Sequence, residues 1–138
     1  MAKVICSETL DFFLFDVFDA NQVLEFDRFK EYDKTSIELF FQSIRDIAEN
    51  ELLPIYSKMD TEKAYFKDGK VHVLPELGKA VRAIADSGII GALDSFENGG
   101  IQLPYCITNT ALSVLYAANP NATPYATLTQ GAANLISA

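Results

Sequence analysis

The 138-residue chain contains no tryptophan, a single histidine and only two cysteines. A structural zinc site needs several Cys or His ligands at short spacing, so this composition excludes one. Cys6 and Cys106 lie far apart in the sequence, and we expect two reduced thiols of a cytoplasmic protein, with Cys106 in the core. The N-terminus also lacks the basic region and apolar core of a secretory signal.

Long apolar runs and clustered basic residues are missing as well. Pro104, Pro120 and Pro124 interrupt the uncharged last third, so no segment reaches the ~20 apolar residues of a membrane-spanning helix. Eleven Lys and Arg are scattered among nineteen Asp and Glu, which gives a net charge of −8. Because nucleic-acid binding needs clustered cations, we expect a solvated acidic surface and no nucleic-acid partner.

No catalytic constellation stands out, since there is no Ser-His-Asp set and no carboxylate pair in an apolar setting. The segment Asn98-Gly99-Gly100 lacks the Gly-Lys-Ser/Thr end of a phosphate loop and predicts a tight turn with positive φ. We interpret His72 as a strand side chain. Glu49, Glu51 and Asp86 are interpreted as solvated carboxylates on helix surfaces.

What the chain has in quantity is apolar residues, at 49 % with ten Phe and six Tyr. That is enough for one packed domain and argues against disorder. Residues 10–18 predict a short docking helix with Phe13, Leu14, Val17 and Phe18 on its buried face. A second short piece is expected around residues 23–29.

Three further elements follow from their patterns. A helix is expected from Thr35 or Ser36, with Glu38 at capping-box spacing, to about Leu53, where Pro54 is expected to end or kink it. Its apolar face is predicted to comprise Ile37, Phe40, Phe41, Ile44, Ile47 and Ala48. Residues 64–74 predict a hairpin around Asp68-Gly69. A helix from Pro75 to Gly88 is predicted to bury Leu77, Val81, Ile84 and Ala85.

The last third predicts two helices with almost no polar face. Residues 105–118 are apolar nearly all round, which is typical of a central, buried helix. A turn-rich connector over 119–124 precedes a last helix from about Pro124. No stop signal occurs at Ser137-Ala138, so we expect this helix to be cut rather than finished. The predicted fold is a mainly α-helical bundle with one small β-hairpin.

The order of several motifs resembles the N-terminal helical domain of the acyl-CoA dehydrogenases. The matching segments are Ala48 to Pro54, Leu77-Gly78 through Gly91, the loop Asn98 to Pro104, and the helix Tyr125 to Ile136. The aromatic start, 11–18, resembles an extra segment of a longer subgroup similar to 3-methylmercaptopropionyl-CoA dehydrogenase. Gln102 departs from the family pattern, where a second Gly is common, and 105–118 lacks an acidic pair that many members carry.

The resemblance implies a domain organisation and an activity. Residues 1–30 would form an N-terminal extension with short docking helices, and 31–138 the helical domain, truncated before the family's β domain. The parent enzyme would use FAD to desaturate an acyl-CoA thioester between its α and β carbons, with a Glu removing the α proton. The flavin site and that Glu lie outside this sequence, so no catalytic residue is assigned and the chain alone is expected to bind no FAD.

The resemblance also implies partners and a substrate-binding wall. An acyl-CoA and the electron-transfer flavoprotein would be the parent enzyme's partners, and a homo-oligomer is expected. The last helix would line the acyl-chain tunnel through Tyr125, Thr127, Leu128 and Gly131, with Gly131 leaving room for the chain. Two alternatives stay open: these residues only pack helix on helix, or the chain is a free-standing binding module that uses its apolar 101–138 surface.

Overall fold

The computed structural model describes residues 4–137. It is mainly helical with one two-stranded antiparallel sheet, which confirms the predicted class and the hairpin. The regular helices and strands, numbered in chain order, are α1 (Ser7–Asp11), α2 (Asn21–Leu24), α3 (Lys34–Ile47), α4 (Tyr56–Thr61), β1 (Tyr65–Lys67), β2 (Lys70–His72), α5 (Pro75–Asp86), α6 (Tyr105–Ala118) and α7 (Pro124–Ser137). Two π-helical segments, Phe12–Val17 and Ala48–Leu52, continue α1 and α3. Short 3-10 turns occupy Asp27–Phe29, Leu53–Ile55, Ile89–Gly91 and Phe96–Asn98.

The N-terminal segment docks through different residues from those predicted. Leu14 and Phe15 are buried, whereas Phe13, Val17 and Phe18 are exposed, so the expected buried face was wrong in those three positions. The reason is the π-helix: its i→i+5 hydrogen bond, from Phe18 N to Phe13 O at 2.9 Å, changes which residues share a face.

Helix α3 has Asp33 as its N-cap, two residues before Thr35, the earlier of the two predicted caps. The Asp33 carboxylate accepts the Ser36 N–H at 2.7 Å, and the Ser36 hydroxyl accepts the Asp33 N–H at 2.8 Å. This reciprocal box replaces the expected cap at Thr35 or Ser36. The Ser36 backbone hydrogen bond, followed by the Ser36 hydroxyl, holds the pKa of Asp33 below its usual value.

The predicted apolar face of α3 is confirmed. Ile37, Phe41, Ile44 and Ala48 are fully buried, with Phe40 and Ile47 partly buried beside them. The helical run does not stop at Pro54. It changes to π geometry at Ala48–Leu52 and to a 3-10 turn that contains Pro54, and then continues as α4.

The hairpin and α5 follow their predicted chemistry with one exception. Asp68 and Gly69, with φ of 52° and 75°, form the tight turn between β1 and β2. Helix α5 opens on Pro75 and ends before Gly88 at φ 80°. Its buried residues are Leu77, Ala80 and Ile84. Ala85 is exposed, because the buried face of α5 follows Leu77, Ala80 and Ile84, which recur at three- and four-residue spacing.

Helix α6 contributes to the core but, contrary to the prediction, is not buried all round. One side, with Ile107, Ala111 and Val114, is buried, whereas Tyr105 and Asn109 on the other side are exposed. Helix α6 packs against α3 and the π-helical segment Ala48–Leu52, while α7 packs against α5 and the turn Ile89–Gly91. A single core cluster joins these helices to Leu14, Phe15, Ala20 and Leu24 of the N-terminal segment. Cys106 is only partly buried at the edge of this cluster, and Cys6 is exposed; both are free thiols.

The loop 91–104 is held by residues 28–32. The Tyr32 hydroxyl donates to the Ile101 carbonyl, and Arg28 donates to the Leu93 carbonyl at 3.3 Å. In return the Gln102 amide donates to the Arg28 carbonyl at 2.6 Å. Burial raises the pKa of the Tyr32 phenol, which favours the protonated form that donates. These contacts attach the N-terminal segment firmly to the loop.

Gln102 has a backbone conformation that favours glycine, with φ of 49°. A side chain in the left-handed region costs roughly 1–2 kcal/mol, whereas the hydrogen bond to Arg28 stabilises by ~1 kcal/mol. We therefore expect Gln102→Ala, which keeps the strain and loses the bond, to lower the free energy of unfolding by about 1 kcal/mol. Gln102→Gly loses the bond but relieves the strain, and should be close to neutral.

Urea unfolding of the three proteins measures these differences. The informative result is a higher free energy of unfolding for Gln102→Gly than for Gln102→Ala. An Ala variant as stable as the Gly variant would mean that the left-handed conformation at 102 carries no cost.

Candidate functional site

The four predicted wall residues lie on the outward half of α7. Leu128 is 75 % exposed at the middle of this half, and Gly131 lies one turn further along the same face. A side chain at Gly131 would meet nothing within 4 Å. Gly131 therefore lies at an open position of the surface.

Tyr125 and Thr127 lie at the two edges of that face and turn toward different neighbours. The Thr127 hydroxyl is 2.9 Å from the Tyr116 hydroxyl on α6. Tyr125 lines a small cavity of about 130 Å³ beside the hairpin, with Met59, Glu62, Ala64, Val73, Leu74 and Leu77. The structure thus brings Leu128 and Gly131 together and places Tyr125 and Thr127 on either side of them.

Helices α6 and α7 each carry an exposed side without charge. Residues 101–138 contain no Asp, Glu, Lys or Arg, so every exposed side chain on α6 and α7 is neutral. The exposed positions of α6 recur at helical spacing on one face. We call the following set the uncharged face: Tyr105, Asn109, Ser113 and Tyr116 of α6, with Tyr125, Leu128, Gly131, Leu135 and Ile136 of α7. One hydrogen bond, between the Tyr116 and Thr127 hydroxyls, links the two helices beside this set.

The chemistry available on the uncharged face is binding rather than proton transfer. Its side chains are apolar, aromatic, hydroxyl or amide groups, and none of them is a carboxylate, imidazole, ammonium or guanidinium group. Within residues 4–137 no group of three or more His, Cys, Asp and Glu side chains could hold a metal ion. His72 stacks on Tyr65 across the hairpin, with ring centroids 4.9 Å apart, in agreement with a strand side chain.

Asn119 supports α7 and was missed by the sequence interpretation, which treated 119–124 only as a connector. This side chain is fully buried. Its amide nitrogen donates to the Leu52 carbonyl at 3.1 Å, and its oxygen accepts the Asn121 and Ala122 N–H groups, each at 3.0 Å. The signal that could have found it is the Asn-Pro-Asn sequence, because Asn side chains commonly bond the backbone two residues on.

Gln130 is the second buried amide that positions α7. Its nitrogen donates to the Ile89 carbonyl at 2.9 Å, which ties the inner face of α7 to the turn after α5. Asn119 thus orders the connector that precedes α7, and Gln130 holds the middle of α7 on the side opposite Leu128. The outward orientation of Leu128 agrees with the inward position of Gln130.

No protein-family model, curated protein or solved structure matches this chain. The resemblance to acyl-CoA dehydrogenases accordingly stays a prediction. Among the residues that the structure describes, none forms a helix long and apolar enough to cross a membrane.

Proposed function

We propose that this chain is the N-terminal helical domain of an FAD-dependent acyl-CoA dehydrogenase and contributes one wall of its acyl-chain tunnel. The uncharged face of α6 and α7 is the observation that carries the proposal. A surface of this kind on an otherwise acidic chain is suited to pack against another domain and to line an apolar tunnel.

Within this proposal the α7 residues have separate roles. Leu128 presents an apolar side chain to the acyl chain, and Gly131 leaves the space through which the chain passes. Tyr125 and Thr127 limit the wall at its edges. Leu135 and Ile136, which are 80 % and 86 % exposed, pack against the neighbouring domain and complete the tunnel.

The uncharged face does not fit the diphosphate of the flavin. The diphosphate of FAD needs cationic groups or converging backbone N–H groups, and the uncharged face contains no Lys or Arg. When bound in the parent enzyme, FAD supplies the hydride acceptor for desaturation. The helical domain proposed here binds and orients the acyl chain and excludes water beside it.

The test uses the polypeptide encoded by the complete reading frame and compares it with the 138-residue chain. The complete polypeptide is expected to carry FAD and to oxidise acyl-CoA substrates with an artificial electron acceptor. In that enzyme, Gly131→Leu fills the proposed tunnel. It should lower kcat/KM for long acyl chains about tenfold, as expected when a bulky group blocks a hydrophobic pocket, and leave short chains nearly unchanged.

Ala85→Leu is the matched control, because it adds the same side chain at an exposed position of α5. Equal effects of the two variants on chain-length preference would contradict the wall assignment. A complete polypeptide that binds no flavin and oxidises no acyl-CoA would contradict the enzyme assignment. A 138-residue chain that ends at its own stop codon and binds a partner through the uncharged face would instead support the free-standing binding module.

A further inference from the structure

The N-terminal segment carries a second apolar surface, made of residues that are not part of the uncharged face. The rings of Phe12 and Phe13 lie 5.6 Å apart, and those of Phe13 and Phe18 lie 6.4 Å apart. Each of these rings is about half exposed or more, and Val17 beside them is also exposed. We call Phe12, Phe13, Val17 and Phe18 the aromatic cluster. Three neighbouring aromatic rings form a contiguous exposed patch, which typically marks an interaction site.

The π-helical geometry creates this cluster. In an α-helix, residues five apart such as Phe13 and Phe18 lie on different faces. The i→i+5 hydrogen bond between these two residues shortens the angular separation, so that their rings stack. Leu14 and Phe15, buried beneath, fix the segment to the core. The cluster is therefore preorganised, which lowers the entropy cost of binding.

The sequence around the aromatic cluster is strongly acidic. Residues 4–27 contain six carboxylates and no Lys or Arg. These carboxylates are Glu8, Asp11, Asp16, Asp19, Glu25 and Asp27. One cation of the chain itself contacts this segment: the Lys34 ammonium lies 4.9 Å from the centre of the Phe15 ring. The electrostatic potential around the rings thus favours a positively charged partner.

We propose that the aromatic cluster docks a cationic amphipathic helix. Its apolar side chains pack on the Phe12, Phe13 and Phe18 rings, and its Lys and Arg side chains approach the surrounding carboxylates. Charge discriminates between this occupant and the others. A second copy of the chain would bring six further carboxylates to the same place, and nucleic acid or an anionic membrane would be repelled.

The test measures binding of a fluorescent 14-residue helix of Leu and Lys to the 138-residue chain by fluorescence anisotropy. The same peptide with Glu in place of each Lys is the charge control. The Lys peptide should bind and the Glu peptide should not. Phe18→Ser should weaken binding about tenfold, as for a central aromatic contact. Asp16→Asn should weaken it two- to threefold, roughly the size of one surface charge pair, and raised salt should reduce that difference.

The chain offers close controls for both variants. Phe66, at the hairpin, is 73 % exposed, as is Phe18, so Phe66→Ser removes an equally exposed ring elsewhere. Asp60→Asn neutralises an exposed carboxylate on α4, and Leu128→Ser tests the uncharged face. None of the three should change the affinity. The proposal is overturned by equal binding of the two peptides, by equal losses in the Phe18 and Phe66 variants, or by loss of binding in Leu128→Ser. Self-association of the chain that Phe18→Ser abolishes would assign the cluster to a second copy instead.

Discussion

Asn119→Ala is expected to lower the free energy of unfolding by about 3 kcal/mol, since each buried group left without a partner costs ~1–3 kcal/mol. The substitution removes the amide that bridges the π-helical segment and the connector before α7. It leaves the Leu52 carbonyl and the Asn121 and Ala122 N–H groups without this side chain. Among residues 4–137, no buried side-chain nitrogen or oxygen lacks a hydrogen-bond partner. The substitution would therefore introduce unsatisfied polar groups into a core whose side chains have none.

Equilibrium unfolding in urea measures this change, with Asn109→Ala as the control. Asn109 is an exposed asparagine in the middle of α6, where Ala has the better helix propensity, so this variant should be neutral or slightly more stable. Asn119→Asp should be at least as destabilising as Asn119→Ala, because a carboxylate oxygen would face the Leu52 carbonyl. A loss below ~0.5 kcal/mol in Asn119→Ala, the size typical of surface substitutions, would contradict the bridging role.

Gly100→Ala is expected to lower the free energy of unfolding by roughly 3 kcal/mol, the upper range for forcing an atom into a packed site. The added methyl group would overlap the Asp94 carbonyl oxygen and lie 2.6 Å from the Asp94 carbonyl carbon and Cβ. These are mostly backbone atoms, which cannot rotate away as a flexible side chain would. The loop must open, and its hydrogen bonds from Gln102 N to Asp94 O and from Leu103 N to Ala92 O are strained with it.

Gly131→Ala is expected to raise the free energy of unfolding. A methyl group there meets nothing within 4 Å, and Ala is favoured over Gly in a helix by up to ~1 kcal/mol. Thermal or urea unfolding should therefore show a loss of stability in Gly100→Ala and a gain in Gly131→Ala. If Gly100→Ala were as stable as the parent, the close approach of residues 94 and 100 would be refuted.

The sequence predicted those parts of the fold that depend on local periodicity and turn chemistry. The apolar face of α3, the Asp68-Gly69 turn and the start of α5 at Pro75 each follow from residues close together in the chain. The α3 cap was missed because Asp33 and Ser36 have the same spacing as the chosen pair, and both pairs are chemically suitable.

The remaining differences have tertiary causes. The buried face of residues 12–17 depends on a π-helical hydrogen bond that no hydrophobic pattern predicts. Asn119 is important through a carbonyl 67 residues earlier in the chain. For the candidate site, the sequence predicted α7 and its lack of charge, but not which half faces outward. That orientation depends on the buried contact between Gln130 and Ile89.

The absence of charge after Glu97 divides the chain into a charged part and an uncharged part. All thirty charged residues precede position 98, and their excess of carboxylates makes contacts of that part sensitive to ionic strength. The exposed side chains of α6 and α7 offer only apolar contact and hydrogen bonding. Dissolved salt screens the charged part and leaves contacts of the uncharged part nearly unaffected, or strengthens them when the salt is a kosmotrope. Contacts made through α6 and α7 should therefore persist as ionic strength rises and tighten in kosmotropic salt, whereas an interface built on ion pairs weakens.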